Sequence, residues 1–146
     1  MKLHQLSVFL ENKPGRLTGP CKVLADARIN ILTLSLADTQ QFGIMRLIVR
    51  DWQQARALLE KAGYVVKTTE VVAVEVADRP GGLAAVLGVI ERVGMNVEYM
   101  YAFTFRREDK AVLVFRFEDP DAAIKALQAG GVNVIGSVEL YDKVEK

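Results

Sequence analysis

The chain has 146 residues, which allows one ordinary domain or two small ones. Its composition, 51% hydrophobic and 25% charged, can supply a folded core and excludes a mainly disordered chain. A net charge of +1 lacks the concentrated basic field that a dedicated nucleic-acid binder needs. A single cysteine, Cys21, and a single histidine, His4, exclude an intrachain disulfide and a zinc site made from these residues.

No apolar run in the sequence approaches the roughly 18 residues of a membrane-spanning helix. The N-terminal segment MKLHQLSVFLEN is interrupted by polar residues and has neither an apolar signal core nor a small-residue cleavage site. We therefore expect a soluble, cytoplasmic protein with no membrane partner.

The hydrophobic pattern of the first half predicts strands and helices in alternation. Apolar and polar residues alternate at the start of the chain, as in a strand, and Pro14-Gly15 then marks a turn. Residues 38–41 form a polar hairpin tip, Asp51 is in position to cap a second helix, and Gly63 ends that helix. The predicted elements are strands 3–10, 30–37, 43–49 and from 64 onward, and helices from 17 up to 30 and from 51 to 62.

The second half repeats the first, which indicates an internal duplication. The segment LENKPGRL at 10–17 returns as VADRPGGL at 76–83, 66 residues later. The helical run QARALLEKAGY at 54–64 returns as AAIKALQAGGV at 122–132, 68 residues later, so a two-residue difference lies in a loop between them. The predicted elements of the second half are strands 71–77, 96–105, 111–117 and 132–141 and helices 81–93 and 120–129.

These repeats predict two domains, residues 1–70 and 71–146, of the α+β class. The order βαββαβ predicts a ferredoxin-like fold for each, with two helices on one face of a four-stranded antiparallel sheet. Residues 64–77 contain neither Gly nor Pro, so the last strand of the first unit is predicted to continue into the first strand of the second. Apolar side chains on the open face of the sheet predict that another sheet covers it, within the chain or in a dimer.

The Pro-Gly turn after the first strand of each unit is the most pointed functional candidate. Asn12 and Asp78 precede the turn and are expected to cap the following helix, while Gly15 and Gly81 leave the backbone without a Cβ. N–H groups at a helix N-terminus would then favour a carboxylate ligand. The alternative is that the turn serves backbone geometry alone.

A second recurring polar residue, Asn30 with its counterpart Asn96, opens the second strand of each unit. An amide offers both a donor and an acceptor, so it could recognise the ammonium and the carboxylate of one ligand if a neighbouring unit brings it close. Here too a purely structural role at the entry of the strand is the alternative.

Other chemistries have less support in the sequence. His4 has no positioned serine or thiol for nucleophilic catalysis, and Cys21, inside the first helix, is interpreted as a small buried hydrophobe. Aromatic residues at every second position of one strand would suit RNA stacking, but the basic, glycine-containing signature of such modules is missing from the next strand. These aromatic residues are Tyr99, Tyr101, Phe103 and Phe105, and packing inside the protein is their other interpretation.

Segments of both units resemble the ACT domain, and the resemblance covers essentially the whole chain. The shared pattern is a strand, an Asn or Asp, a basic residue and Pro-Gly, a helix, and then an Asn between apolar residues. The chain as a whole is similar to small stand-alone proteins made of two ACT domains. The segments are ENKPGRL, RINI and FGIMRLIV in the first unit and VADRPGGL, GMNVEYMYAF and AVLVF in the second.

The resemblance implies a regulatory protein that binds a small ligand, usually an amino acid, at an interface between paired domains. It also implies control of an enzyme. Together with the residues discussed above, it leads us to expect a homo-oligomer, a dimer, without catalysis, a cofactor or a metal. In the first unit the implied ligand residues are Asn12, Lys13, Pro14, Gly15, Arg16, Leu17, Asn30 and Ile31. In the second they are Asp78, Arg79, Pro80, Gly81, Gly82, Leu83, Asn96 and Val97.

The second unit departs from the family pattern. Asp78 replaces an amide with an acid, which should repel a carboxylate at close range, and Gly82 stands where the first unit has Arg16. We therefore expect the turn of the first unit to hold the ligand, against a strand or helix of a partner. The main alternative function is a structural dimerisation or assembly module without a ligand, followed by a small-molecule enzyme and an RNA binder.

Overall fold

The computed structural model of the protein describes residues 1–38 and 40–144. The chain divides into two compact units. The N-terminal unit is His4–Thr69, and the C-terminal unit runs from Glu70 onward and includes Met1–Leu3. Thr39, part of the predicted hairpin tip, lies outside the described residues.

The N-terminal unit has the strand order β2-β3-β1-β4, with β3 antiparallel to both of its neighbours. This is the order that a ferredoxin-like unit requires, because each helix connects two parallel strands that are not adjacent. Asp51 caps the second helix by accepting a hydrogen bond from the Gln54 N–H, as predicted. The elements are β1 (Leu3–Glu11), α1 (Thr18–Asp26), β2 (Ile31–Asp38), β3 (Phe42–Val49), α2 (Trp52–Lys61) and the beginning of β4 (Val65–Ala77).

The core of the N-terminal unit lies on one face of its sheet. Leu6 and Val8 of β1 are fully buried, and they share a cluster with Leu47 of β3. Leu24 of α1 and Leu59 of α2 complete this cluster, so both helices cover the same face. Alternation along β1 thus directs every second side chain into the core, as the sequence pattern predicts.

The C-terminal unit repeats this architecture with the strand order β5-β6-β4-β7. Its core joins alternate β4 valines, such as Val74, to Phe115 of β6, Val89 of α3 and Leu127 of α4. The predicted α+β class with two ferredoxin-like units is confirmed, and β4 is one unbroken strand of 13 residues. The elements are the rest of β4, α3 (Gly82–Arg92), β5 (Tyr99–Arg107), β6 (Lys110–Arg116), α4 (Pro120–Ala129), β7 (Val134–Ile135) and α5 (Ser137–Val144).

The predicted last strand, 132–141, is wrong over most of its length. Strand β7 has two residues, and Gly136 separates it from helix α5. Leu140 and Tyr141 are adjacent buried residues in that helix, and Lys143 forms an ion pair with Glu139 one turn away. The apolar residues of this segment therefore serve a helical face rather than a pleated strand.

The first residues of the chain belong to the C-terminal unit. The Lys2 ammonium lies 2.7 Å from the Glu70 carboxylate and 3.3 Å from that of Asp121. The Gln128 amide donates a hydrogen bond to the sulfur of Met1 at 3.3 Å. These contacts attach the start of the chain to residues that lie far along the sequence.

Within the described part of the chain, no helix combines the length and apolarity that a bilayer crossing requires. In that same part, no three His, Cys, Asp or Glu side chains are grouped in a way that could hold a metal ion.

Candidate functional site

The turn after the first strand has the same backbone in both units. The N–H groups of Lys13 and Arg79 each donate to the carbonyl two residues earlier, both at 2.9 Å. Gly15 and Gly81 both have a left-handed backbone, with φ of +82° and +86°, which favours glycine at this position. The duplication is therefore preserved at the level of backbone conformation, as the repeated Pro-Gly sequence predicts.

The prediction that Asn12 and Asp78 cap the following helices is wrong. The N-cap positions are Leu17 and Gly81, and neither makes a side-chain capping bond. Asn12 instead directly follows β1, and its N–H donates to the Gln41 carbonyl at 3.0 Å. A capping side chain reaches only the second or third residue of its helix, so both residues lie too far upstream.

In the C-terminal unit the turn opens into a pocket of about 550 Å³. This volume lies within the usual range for small-molecule sites. Four predicted ligand residues line the pocket, Arg79, Pro80, Gly81 and Gly82. The turn that sequence reasoning ranked second therefore borders a cavity of ligand size.

Two glycines shape the walls of this pocket. A Cβ on Gly82 would collide with the carbonyl oxygen of Ala77, so helix α3 begins in direct contact with the end of β4. A Cβ on Gly130 would lie 2.5 Å from a methyl group of Val89, so the end of α4 packs closely on α3. Both glycines allow a close approach that any side chain would prevent.

The corresponding space in the N-terminal unit holds the side chain of Tyr64. The repeat aligns Tyr64 with Val132 and Gly19 with Ala85. The Tyr64 hydroxyl occupies the position that a Cβ would take on Gly19. In the N-terminal unit the Tyr64 ring thus lies at Gly19. In the C-terminal unit the equivalent residues, Val132 and Ala85, both line the pocket.

Glu75, which lines the pocket together with Arg79 and Lys110, has its side chain at the centre of a polar network. Its side chain is 13% exposed, and its Oε1 atom accepts hydrogen bonds from Asn133 Nδ2 at 2.8 Å and from Lys143 Nζ at 2.9 Å. Lys110 Nζ lies 3.8 Å from the other oxygen, Oε2. Burial by itself would raise the pKa of Glu75, but the hydrogen bond and charge of Lys143, with Lys110 and Asn133, hold that pKa below its usual value.

The charges of the two turns differ. In the N-terminal unit, Lys13 and Arg16 lie 3.2 and 3.8 Å from the carboxylate of Glu11. The repeat places Ala77 where the first unit has Glu11, so Arg79 has no acidic residue at that position. The basic residues of the N-terminal turn are therefore paired with an acidic residue. The equivalent position in the C-terminal unit has no acidic residue.

Asn30 and Asn96 lie beyond the C-terminal end of the first helix of each unit. Asn30 directly precedes β2, but Asn96 lies three residues before β5, so the prediction that it opens that strand is wrong. Asn96 borders a separate cavity of about 470 Å³, together with Glu98 and Phe117. Helix α3, with 11 residues and a length of about 16 Å, separates it from the Pro-Gly turn. Within the C-terminal unit, the two predicted parts of the ligand site thus do not share one pocket.

The remaining predicted residues lie mostly at the surface. Residues 12–17, Asn30, Asp78, Leu83 and Asn96 are exposed, and Ile31 and Val97 are half-buried. Sequence reasoning missed Glu75, Lys110 and Val132. In the aligned repeats, Glu75 and Lys110 correspond to Phe9 and Phe42, and Val132 corresponds to Tyr64. These differences between the units were the sequence signal that could have identified the three residues.

Three of the residues considered for other chemistries, His4, Cys21 and Phe103, pack within the protein. The His4 ring stacks on Trp52 with centroids 4.4 Å apart, and Cys21 packs against the core of the N-terminal unit. Phe103 is 5% exposed, unlike the solvent-facing aromatic residues that stack on RNA bases. The side chain of Phe105 lies outside the described residues.

Solved structures resemble the chain along nearly its whole length. A protein of Bacteroides thetaiotaomicron is 39% identical, with a TM-score of 0.90, and the match covers 97% of this chain and 96% of that one. The ligand-free regulatory subunit of aspartate kinase from Thermus thermophilus is 18% identical, with a TM-score of 0.63 and coverages of 87% and 91%. The corresponding subunit from Thermus flavus is 16% identical, with a TM-score of 0.60 and coverages of 89% and 94%.

No curated protein matches the sequence significantly. The family model described as an ACT domain pair matches residues 1–142. This agrees with the two ferredoxin-like units and with the duplicated turn. The chain therefore belongs to the ACT domain pair family.

Proposed function

We propose that this protein is a regulatory module that binds an amino acid in the pocket beside the Arg79–Gly82 turn and thereby controls a partner enzyme. The observation that carries the proposal is the difference between two otherwise matching turns. One borders a cavity of about 550 Å³, while the other has the Tyr64 side chain at the equivalent place. The proposed site is thus in the C-terminal unit, with one ligand per chain.

A regulatory role is supported by family and by fold. ACT domain pairs are regulatory, and two structures that share the fold are named as regulatory subunits of aspartate kinase. A ligand can regulate only if it binds one of two arrangements more tightly than the other. We propose that the chain acts without catalysis of its own and pairs with a second copy, so that ligand binding favours one arrangement of the paired units.

The other predicted residues keep a place in this proposal. Asn96 borders a separate cavity at the other end of α3, so we propose that Asn30 and Asn96, with Ile31 and Val97, meet a ligand held at a turn across an interface with another unit. The turn at 12–17 remains the second candidate site. Its basic residues are already paired with Glu11, which makes it the weaker candidate for an anionic group.

The test is a thermal-shift scan of the purified protein against the twenty amino acids. A ligand at 100 times its Kd adds about 2.7 kcal/mol to the free energy of unfolding. For a chain of this size, that corresponds to a rise of several degrees in Tm. A scan in which no amino acid raises the Tm would contradict the proposal and favour the alternative, an assembly module without a ligand.

A paired substitution tests the position of the site. The double variant Ala85→Gly and Val132→Tyr copies the Gly19 and Tyr64 arrangement into the C-terminal unit, and we expect it to abolish the shift. Gly88→Ala is the matched control, because a Cβ at Gly88 meets no atom within 4 Å and this residue does not line the pocket. A shift that survives in the double variant but is lost in Asn12→Ala would place the ligand at the N-terminal turn instead.

A further inference from the structure

The N-terminal unit has exposed apolar residues on the face of its sheet that lies opposite to its helices. Phe9 of β1, Phe42 of β3 and Val65 of β4 are 41%, 55% and 68% exposed. Phe9 and Val65 alternate with core residues, and Phe42 is two residues from Ile44, the partner of Phe9 in the β1–β3 ladder. Because β1 lies between β3 and β4, the three side chains share one face and are neighbours on it. We call Phe9, Phe42 and Val65 the sheet patch.

The C-terminal unit has polar residues at the same three positions. The repeat places Glu75, Lys110 and Asn133 where the N-terminal unit has the sheet patch. Asn133 and Lys143 both donate hydrogen bonds to Glu75, and these bonds hold helix α5 on this face of the sheet. At the equivalent point of the N-terminal unit the chain continues along β4. The same surface is therefore polar and bound to a helix in one unit, and apolar and exposed in the other.

The C-terminal unit has an exposed apolar surface of its own, on the outer side of α3. Leu83 is 39% exposed, Ala84 is exposed and Leu87 is half-buried. A Cβ on Gly88 would meet no atom within 4 Å, so the space above this residue is open. Residues three and four apart are neighbours on a helix, and these four residues therefore form one continuous strip, the α3 strip. Exposed apolar surfaces of this kind mark sites of protein association.

The two apolar surfaces are confined to different units, and the units differ in charge. The repeat places Thr18 and Lys22 of α1 where the α3 strip has Ala84 and Gly88, so the outer side of α1 is more polar. Residues 4–69 have nine Lys or Arg and five Asp or Glu, whereas the rest of the chain has ten and thirteen. The resulting net charges of +4 and −3 favour contact between unlike units and disfavour contact between like units.

We infer that the sheet patch of one copy binds the α3 strip of a second copy. The inference rests on the pairing of two copies in the proposed function and assigns the surfaces that meet. A helix against a sheet face buries the apolar side chains of both, as α5 illustrates on the equivalent face of the C-terminal unit. Each copy has one surface of each kind, so two copies can make this contact twice.

Charged residues beside the two surfaces match this arrangement. Lys67 is exposed and lies on the same face of β4 as Val65, since both alternate with the buried Val66. Glu91 is exposed and lies one turn beyond Gly88 on the same side of α3. A basic residue therefore borders the sheet patch and an acidic residue borders the α3 strip, which favours their contact over the pairing of two identical surfaces.

Sedimentation equilibrium of the full-length protein measures this association. The double variant Phe9→Glu and Val65→Asn introduces the residues of the C-terminal unit into the sheet patch, and Gly88→Lys introduces the residue of α1 into the α3 strip. Each is expected to raise the Kd of association by about tenfold or more. Leu36→Glu and Val138→Lys are the matched controls with an expected Kd near that of the unsubstituted protein, because both residues are exposed, at 52% and 73%, and lie outside the two surfaces.

A mixture of the two variants distinguishes this contact from other ways of pairing. The patch variant keeps an intact α3 strip, and Gly88→Lys keeps an intact sheet patch. An equimolar mixture is therefore expected to form a heterodimer through one contact, at a concentration where neither variant associates alone. A mixture that stays monomeric would overturn the inference, since it would indicate that each surface pairs with its own copy or binds a different protein.

Two further results separate a failure of the inference from a failure of the proposed function. Association that both variants retain would place the interface elsewhere and overturn the inference alone. An unsubstituted chain that stays monomeric would overturn the inference together with the proposed pairing, while the thermal-shift scan would still decide whether an amino acid binds. Tm values show whether each variant is folded.

Discussion

The hydroxyl group of Tyr64 occupies the space that a Cβ atom would need on Gly19. Gly19 is the second residue of α1, and Tyr64 lies immediately before β4, so the contact joins the start of one helix to the loop that follows the other. Glycine in a helix costs about 0.5–1 kcal/mol relative to alanine. Here that cost is offset by room for the aromatic ring, which packs against the core of the N-terminal unit.

Replacing Tyr64 with valine should destabilise the N-terminal unit by about 1–3 kcal/mol, because the ring is lost and a cavity remains above Gly19. Urea unfolding measures the effect. Tyr64→Phe keeps the ring and is the matched control, with an expected loss below about 1 kcal/mol. Equal losses in the two variants would show that the hydroxyl group, and not the ring, carries the stabilisation.

Two glycine-to-alanine substitutions in helix α3 should change the free energy of unfolding in opposite directions. Gly82→Ala places a Cβ against the backbone oxygen of Ala77, and overpacking of this kind costs about 1–3 kcal/mol. Gly88→Ala meets no atom within 4 Å and should stabilise helix α3 by up to about 1 kcal/mol. The midpoints of denaturant unfolding compare the two, and a neutral Gly82→Ala would refute the described contact between α3 and β4.

Helix α5 offers a second matched pair. Leu140 is fully buried, so Leu140→Ala should lower the free energy of unfolding by about 2–5 kcal/mol. Val138 is 73% exposed, and Val138→Ala should change that free energy by less than about 0.5 kcal/mol. Similar losses in both variants would be inconsistent with the helical face assigned to this segment.

The Glu75 network predicts a specific dependence of stability on pH. The pKa of Glu75 is lowered by Lys143, so its contribution is present above the usual value of 4.5 and is lost as the pH falls through the lower, folded value. Glu75→Gln should therefore show a shallower loss of stability below about pH 4.5 than the unsubstituted protein. Acid unfolding followed by circular dichroism provides the measurement.

Lys143, the ion-pair partner of Glu75, has its pKa shifted in the opposite direction. The hydrogen bonds and charges of Glu75 and Glu139 raise the pKa of Lys143 above its usual value of 10.5, despite its partial burial. Its contribution is present below pH 10.5 and is lost as the pH rises through the higher, folded value. Lys143→Met should flatten the alkaline part of the stability profile, and an unchanged alkaline part would contradict the ion pair.

Much of the fold could be predicted because the apolar pattern repeats. Alternation of apolar and polar residues predicted β1. The repeated Pro-Gly turn and the helix cap at Asp51 predicted where the following elements of both units lie. The segment after Val134 could not be placed in this way, because its apolar residues continue the alternating pattern past Gly136. Their burial on a helical face depends on packing with the rest of the unit, which local pattern does not contain.

The candidate site was harder to predict than the fold, since it depends on contacts between distant residues. Alignment of the repeats paired Tyr64 with Val132, but only the position of the hydroxyl over Gly19 shows that this exchange opens a cavity. Glu75 and Lys110 follow ordinary strand patterns, and their proximity comes from the register of β4 and β6. The shared turn and its differences in sequence were therefore predicted, while the cavity beside the second turn was not.

The contacts of Lys2 with Glu70 and Asp121 have a consequence for biosynthesis. A ribosome makes residues 1–3 before their partners, because Glu70, Asp121 and Gln128 lie 68 or more positions further along the sequence. The N-terminal unit can fold during translation, whereas the first residues must wait until Gln128 has left the exit tunnel. A purification tag joined directly to Met1 would therefore lie beside the C-terminal unit, next to the contact of Met1 with Gln128.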